Sequence, residues 1–444
     1  SCTSWLVVDQ LNLERLGIPT VTIATTEFLP LAKDTALSQG VADMAFVTVS
    51  HPMGMIPLAE IRKKADETFP EILKAATEWK PTAELPPMKP AYPAERFQFR
   101  GTVEDVNKLF FERGWSMGLP IIPPTAERVE EMLKGTSRKP HEVIGLVPPR
   151  MGVLTVEMIA VHAVMAGCKP EYMPLLIGAM EALLTPEVNW RGAATTTGTT
   201  AMLVIVNGPI VKEIGLASTQ GAAGKGHHPN ASIGYAMNSI AYTIGGSKPP
   251  TPDKGTLAAP SDFTGWIFGE NEAALPKGWN PYHVERGFKK EDSVVTVMGI
   301  YPPVENIDHW SVTPEEHINW WSGIVSGLTG VGGPCAEGTL EQPHIIGIGP
   351  EHAQLIAGSG WTKEQFLKAF WEKTSLPLST WPKGSPGFAH LSKMLGKPLT
   401  PETRIPITLS PELLYTVIAG GTGKHSHFFA PFPGCLPVSK KVVK

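Results

Sequence analysis

SWLVVDQLNLERLGIPTVTIATTEFLPLAKDTALSQGVADMAFVTVS, Ser4 to Ser50, decides the fold class of this chain. Leu6, Leu11, Leu13 and Leu16 recur at helical spacing ahead of Gly17, which predicts a helix stopped by glycine. PTVTIAT (19–25) is β-branched and predicts a strand. FLPLAKDTALSQG (28–40) predicts a helix closing at Gly40, and ADMAFVTVS (42–50) a second strand. IPLAEIRKKADETFPEILKAATEW (56–79) follows as a long amphipathic helix. Helix and strand in alternation imply a parallel sheet with helical crossovers, flavodoxin- or Rossmann-like in kind. Two strands are too few to bury these helices, since a self-sufficient sheet normally needs three or more. Residues 1–78 therefore read as the second half of an α/β domain. A further segment or a partner chain is expected to complete it.

Outward from this stretch, residues 79–100 are rich in proline and poor in aliphatics, which predicts a semi-extended linker. Residues 101–444 read as a larger mixed α+β domain, with possible sub-halves at 101–300 and 301–444. It opens on a helix that Thr102 can cap, with Asp105 suited to the first turn. TVEMIAVHAVMAG (155–167) and YMPLLIGAMEALL (172–184) are apolar on every side and predict buried helices. TAMLVIVNGPIVKEIG (200–215) reads as strand, Gly208-Pro209, then helix or turn; PHIIGIGPEHAQLIAGSG (343–360) repeats the form and points to an internal duplication. LLYTVIAGGTGKHSHFF (413–429) reads as a third strand entering a Gly-rich turn. Turns at the carboxyl ends of strands are where open α/β sheets place ligands.

Composition narrows the function. A chain of 444 residues with 42% hydrophobic and 18% charged residues suits a globular protein with large cores. The formal net charge is -4 and no basic run occurs, which argues against a nucleic-acid partner. The longest apolar runs, such as AMLVIV (201–206), are too short to cross a membrane. Cys2, Cys168, Cys335 and Cys435 lie too far apart for a disulfide framework or a zinc ribbon, so a cytoplasmic chain with reduced thiols is expected. A homo-oligomer is expected from the abundance of apolar helix.

Several groups of residues have the makings of chemistry. Cys2 opens a helix, where unpaired N–H groups favour a thiolate, and is the candidate nucleophile. GAAGKGHHPNASIG (221–234) is a Gly-rich loop before a helix; Lys225, His228 and Asn230 are expected at an anion there and His227 as a catalytic group, with Asn230 able to cap the helix and without the spacing of a P-loop. WRGAATTTGTTAM (190–202) adds Arg191, Thr196 and Thr199, and a carboxylate or phosphate is expected between the two segments. GGTGKHSHFF (420–429) offers Lys424 and His427; its histidines 425 and 427 are read as facing opposite ways, one as acid or base. No metal is expected there, because spacing fixes no acidic partner. NPYHVERGF (280–288) supplies His283 and an Arg286 suited to a carboxylate, and Glu270 and Glu272 form an acidic candidate. Cys335 lies in a Gly-rich stretch (330–344) and is a candidate to face the ligand. No cofactor is identified.

SCTSWLVVDQLNLERLGIPTVTI (1–23) and VTVSHPMG (47–54) resemble the second half of the UGSC-type selenoprotein-like domain, a family with a (Sec or Cys)-Gly-Ser-Cys motif followed by Thr-Ser-Trp. Ser1 to Trp5 match the latter part of that motif; its Sec or Cys and its Gly would precede Ser1. GLPIIPPTAERVEEML, GKGHHPNASIG and GGTGKHSHF resemble the larger domain joined to such modules in some members. The resemblance implies a selenol or thiol paired with Cys2, hence a redox enzyme. Its expected act is attack on a carbon–heteroatom or sulfur bond of a small anionic organic substrate. The alternatives are a lyase or hydrolase working through His, Lys and Arg at the Gly-rich turns, and a non-catalytic binding or assembly protein.

Overall fold

The computed structural model describes residues 2–42, 44–54, 56–80, 95–329, 338–381 and 388–443. The first 78 residues contain the predicted alternation: α1 (Cys2–Arg15), β1 (Thr22–Thr25), α2 (Leu29–Ser38), β2 (Phe46–Val49) and α3 (Leu58–Glu78). β1 and β2 pair in parallel from Thr22↔Phe46 to Thr25↔Val49. Val7, Leu11, Ala24, Ala32, Ala36, Val41 and Met44 make a small core on one side. The cover is partial: Val47 and Val49 of β2 are buried and α3 packs against that strand, but Leu6, Leu13, Ile23 and Leu37 are exposed and α3 buries none of its own residues.

The rest of the chain begins with α4 (Val103–Glu112), held by a reciprocal capping box between Thr102 and Asp105. Then come α5 (Ala126–Leu133), the hairpin β3 (Val143–Val147) and β4 (Gly152–Thr155), α6 (Val156–Met165), α7 (Met173–Leu183) and α8 (Trp190–Ala194). β5 (Ala201–Asn207), α9 (Ile210–Glu213), α10 (His228–Thr243), α11 (Ser261–Thr264), β6 (Trp266–Gly269), α12 (Tyr282–Glu285), β7 (Val294–Ile300) and β8 (Val304–Ile307) follow. The last part holds α13 (Pro314–Ser326), β9 (His344–Ile348), α14 (Pro350–Gly358), α15 (Lys363–Lys373), β10 (Ser375–Pro377), α16 (Phe388–Leu395), β11 (Arg404–Pro406), β12 (Leu414–Ile418), β13 (His425–Phe429) and β14 (Val438–Lys441).

Two mixed four-stranded sheets, β14-β7-β5-β6 and β8-β13-β9-β12, form the body. Leu203, Ile205, Phe268, Met298, Ile300, Ile345, Val417 and Phe429 pack in the layer between them. The outer face of the first sheet lies under α6, α7 and α10, and that of the second under α13, α14 and α15. The result is a four-layered α/β/β/α stack. β5 is buried along its whole length, which explains why AMLVIVN lacks alternation. The stretch 413–429, read as one strand entering a turn, is two strands that flank β9, β12 in parallel and β13 antiparallel.

The two sheets repeat one plan to the residue. The row Ile267–Val204–Val297–Val438 crosses the first sheet, and Thr416–Ile346–Phe428–Val304 crosses the second in the same strand order and sense. Each copy gives its last strand to the other: β8 follows β7 but pairs with β13, while β14 follows β13 but pairs with β7. The exchange is centred on a reciprocal pair of bonds, Tyr301 N to Ala430 O at 3.0 Å and Phe432 N to Gly299 O at 2.9 Å. Gly208 ends β5 at φ +82°, where an added Cβ would meet Asp292 O at 2.1 Å; glycine is required there for both reasons.

Candidate functional site

The N-terminal module docks through polar contacts at the N-terminal end of β5. Trp5 Nε1 donates to Asn189 Oδ1 at 2.8 Å. Asn189, held at φ 50°, also caps α8 through Gly192 N and donates to Pro433 O, so one side chain joins module, helix and strand crossover. Arg150 pairs with Asp34 at 3.0 Å, and Lys254 Nζ donates to Glu27 O at 3.0 Å. Cys2 and Trp5 are three apart on α1, so they share a face. Cys2 is an exposed free thiol at the N-terminus of that helix.

Beside this seam lies a cavity of about 680 Å³. Its wall includes Trp190 and Ala193 of α8, Thr196, Thr199 and Thr200 before β5, Asn238 and Tyr242 of α10, Asp253 of the following loop and Asp262 of α11. The Nε1 of Trp190 is buried without a partner. Burial raises the pKa of both aspartates. A bond from Gly255 N opposes the shift at Asp253, and one from Ala259 N opposes it at Asp262, where the Asp253 charge adds to the rise. Among the described residues no Lys, Arg or His lines the wall. The arrangement is an apolar hollow with hydroxyl and amide groups and two acids whose protonated form burial favours.

A second polar centre sits at the opposite end of β5, about 20 Å away along the strand. Glu270, just past β6, is buried and accepts from Asn207 Nδ2 at 2.5 Å, Tyr282 N at 2.7 Å and Ile418 N at 3.1 Å. Burial pushes its pKa up to about 7 against these donors. Glu272 accepts from Gly208 N at 2.8 Å. His283 is fully buried and neither ring nitrogen has a hydrogen-bond partner; its Nδ1 is 3.7 Å from Glu272 Oε1. Glu270, Glu272 and His283 lie close enough for a single ion to touch all three, as do Asp308, His317 and His352.

The candidates named from sequence divide between these places. Thr196 and Thr199 line the cavity, and Cys2 lies by the seam. Arg191 is buried, donating to Pro149 O at 3.0 Å and Ser38 Oγ at 3.4 Å; burial lowers its pKa to about 10. It fastens the module rather than facing the cavity. Asn230 does not cap its helix, which starts at His228 with His227 as N-cap. Its side chain ties together Ala217, Ala222 and Ile267. Lys225 and His228 are exposed, and His227 bonds Gln220 O. This loop meets the 420–423 turn, where Gly420 N donates to Ser218 O. The Gly-rich loop and the Thr cluster therefore lie at opposite ends of β5 and do not clasp one ligand. Lys424 lies half-buried beside His309 O. His427 stacks on Phe429, two residues along, so His425 and His427 share a face; the reading of opposite faces is corrected. Arg286 stacks on Tyr415 and donates to its hydroxyl. Cys335 lies outside the described residues. Asp253 and Asp262 were not singled out from sequence, since their Pro-rich loop carries no motif.

The molecule is thus a two-part α/β protein: a small module with an exposed helix-terminal thiol, set against a layered body beside a cavity. Residues 1–78 match the model of the UGSC family. No curated protein matches the chain. No solved structure matches it. No helix among the described residues is long and apolar enough to cross a membrane.

Proposed function

We propose that the protein is a thiol-dependent enzyme in which Cys2 serves a small organic substrate held in the cavity beside α8. The observation that carries this reading is the Trp5–Asn189 bond, which lays the Cys2 face of α1 against the residue adjoining Trp190 of the cavity wall. The Cys2 thiolate attacks a carbon bearing a heteroatom, the carbon–heteroatom bond breaks, and the leaving group takes a proton from Asp253 or Asp262. A second thiol or selenol then attacks the Cys2 sulfur. The sulfur–carbon bond breaks, the carbon leaves with a proton, and a disulfide or selenylsulfide remains for an external thiol to reduce. The second chalcogen comes from polypeptide outside this sequence. Support comes from the resemblance to the UGSC motif and from the exposed apolar side chains of the module, Leu6, Leu13, Ile23 and Leu37, which a further segment would cover. With no cation in the wall, the substrate proposed is neutral or cationic rather than the anion expected from sequence.

The paired acids also favour a second reading, proton-transfer chemistry without the thiol, as in a lyase or hydrolase. Labelling with small haloalkyl electrophiles, followed by intact mass, separates the two. Cys2 should react faster than in the unfolded chain, and Thr199→Trp, which fills the cavity, should remove the advantage. Equal rates in folded and unfolded chains would sink the thiol reading. Loss of turnover in D253N or D262N together with full turnover in C2S would establish the second.

A further inference from the structure

We infer that Glu270, Glu272 and His283 form a binding site for a single divalent transition-metal ion, entered from the Glu272 side. The first ground is His283. A neutral imidazole carries one donor and one acceptor nitrogen, and a polar group buried with neither satisfied is uncommon in a folded protein. His283 is fully buried with both nitrogens unmatched, and it points at a carboxylate. Asn207, whose Nδ2 donates to both glutamates, keeps its Oδ1 buried and unpaired as well. An ion bound by the imidazole would satisfy its acceptor nitrogen. Water on the same ion would supply a partner for Asn207 Oδ1.

The second ground is the charge and geometry of the donors. Two carboxylates and a neutral imidazole balance a dication. One ligand atom from each residue lies within 4.8 Å of the others, and the 3.7 Å between His283 Nδ1 and Glu272 Oε1 is near the roughly 3.4 Å span of two ligands on a tetrahedral zinc. A mixed nitrogen and oxygen set suits zinc, manganese, iron or cobalt better than calcium or magnesium, which favour oxygen alone.

The third ground is the outer shell. Glu270 is oriented by three donors and Glu272 by Gly208 N and Asn207 Nδ2. A carboxylate has about four acceptor positions, so both keep capacity for an ion. Donors of this kind fix ligands in metal sites. The side chain of Glu272 is 27% exposed and gives the ion a way in. The rival group is more fully engaged, with only Nε2 of His317 buried and unpaired among its ring nitrogens. His352 spends its nitrogens on Ser426 Oγ and Asp308 O, Asp308 is held by Trp310 N, Ser311 N and His317, and all three residues are buried.

The test uses the untagged full chain, stripped with a chelator and titrated with Co²⁺ or Zn²⁺. Wild type should retain a single ion per chain by elemental analysis and develop visible Co²⁺ absorption. Second-shell losses cost about 10–100-fold in affinity, so removing a ligand in His283→Ala or Glu272→Gln should cost about 100-fold or more. His317→Ala should bind as wild type does. Glu272 is partly exposed, so E272Q keeps the test open should H283A fail to fold. Failure of folded wild type to bind, wild-type affinity in E272Q, or loss of the ion in H317A overturns the assignment.

Discussion

The two sheets share strand order, direction and ladder register, yet the buried carboxylate that follows β6 in one has no counterpart after β12 in the other. Glu270 follows β6 and donates its N–H to Val206 O; Ala419 stands in the same place after β12 and donates to Ile348 O. The first copy supplies the carboxylate. The second supplies Ile418 N, which binds it. Repetition of a backbone plan therefore repeats the scaffold but not the Glu270 centre, where donors from both copies offset the lost hydration of the buried carboxylate.

The glycines that end β5 and β9 test that comparison most severely. An added Cβ would meet a backbone oxygen in both, at 2.1 Å from Gly208 and 2.2 Å from Gly349, but only Gly208 also has positive φ. Gly208→Ala should cost about 2–5 kcal/mol, and Gly349→Ala less by the left-handed penalty of about 1–2 kcal/mol. Urea unfolding of both variants checks this, and equal losses would mean that φ is not the distinction.

Next comes pH. Each half buries a histidine, His162 under the first sheet and His344 at the start of β9; burial lowers both to about 4 from 6.5. Between those values the unfolded chain binds protons that the folded chain refuses, so stability is present above about 6.5 and is lost as pH falls toward 4. The limit is about 3 kcal/mol for each group. H162Q and H344Q should each flatten the slope of one shared unfolding transition. Two separable transitions, each flattened by a single variant, would break the view that strand exchange makes the copies one cooperative unit.

The smallest effects belong to the module seam. Trp5→Phe removes one partly exposed hydrogen bond and should weaken docking by about 1 kcal/mol. Asp34→Asn should change it by less than about 1 kcal/mol, since the Arg150 pair is solvated. Protease sensitivity at residues 79–100 reads both; a reversed order would place the docking energy in the ion pair.

Much of the backbone was legible in the sequence. Thr102 was legible as a helix cap and Asp105 as a first-turn acid, which the structure joins in a capping box, and the alternation through residue 78 gave its helices and parallel strands. The Gly-Pro stops after 207 and 348 hinted at a repeated plan, although the ladders show those stops one residue out of step. The sites were less legible. Glu270 and His283 were both noticed, but their proximity depends on α12 folding back across the end of β6. Asp253 and Asp262 gave no signal, because a proline-rich loop has no period from which a facing direction can be read.

The sequence by itself determined where helices and strands begin and stop, since capping, turn chemistry and side-chain period act over a few residues. Tertiary structure alone decided that β8 and β14 change places and that the Thr cluster and the Gly-rich loop lie at opposite ends of β5. It also decided which buried groups have partners. Those outcomes depend on burial and on hydrogen bonds between residues tens or hundreds of positions apart, and no local pattern encodes such distances.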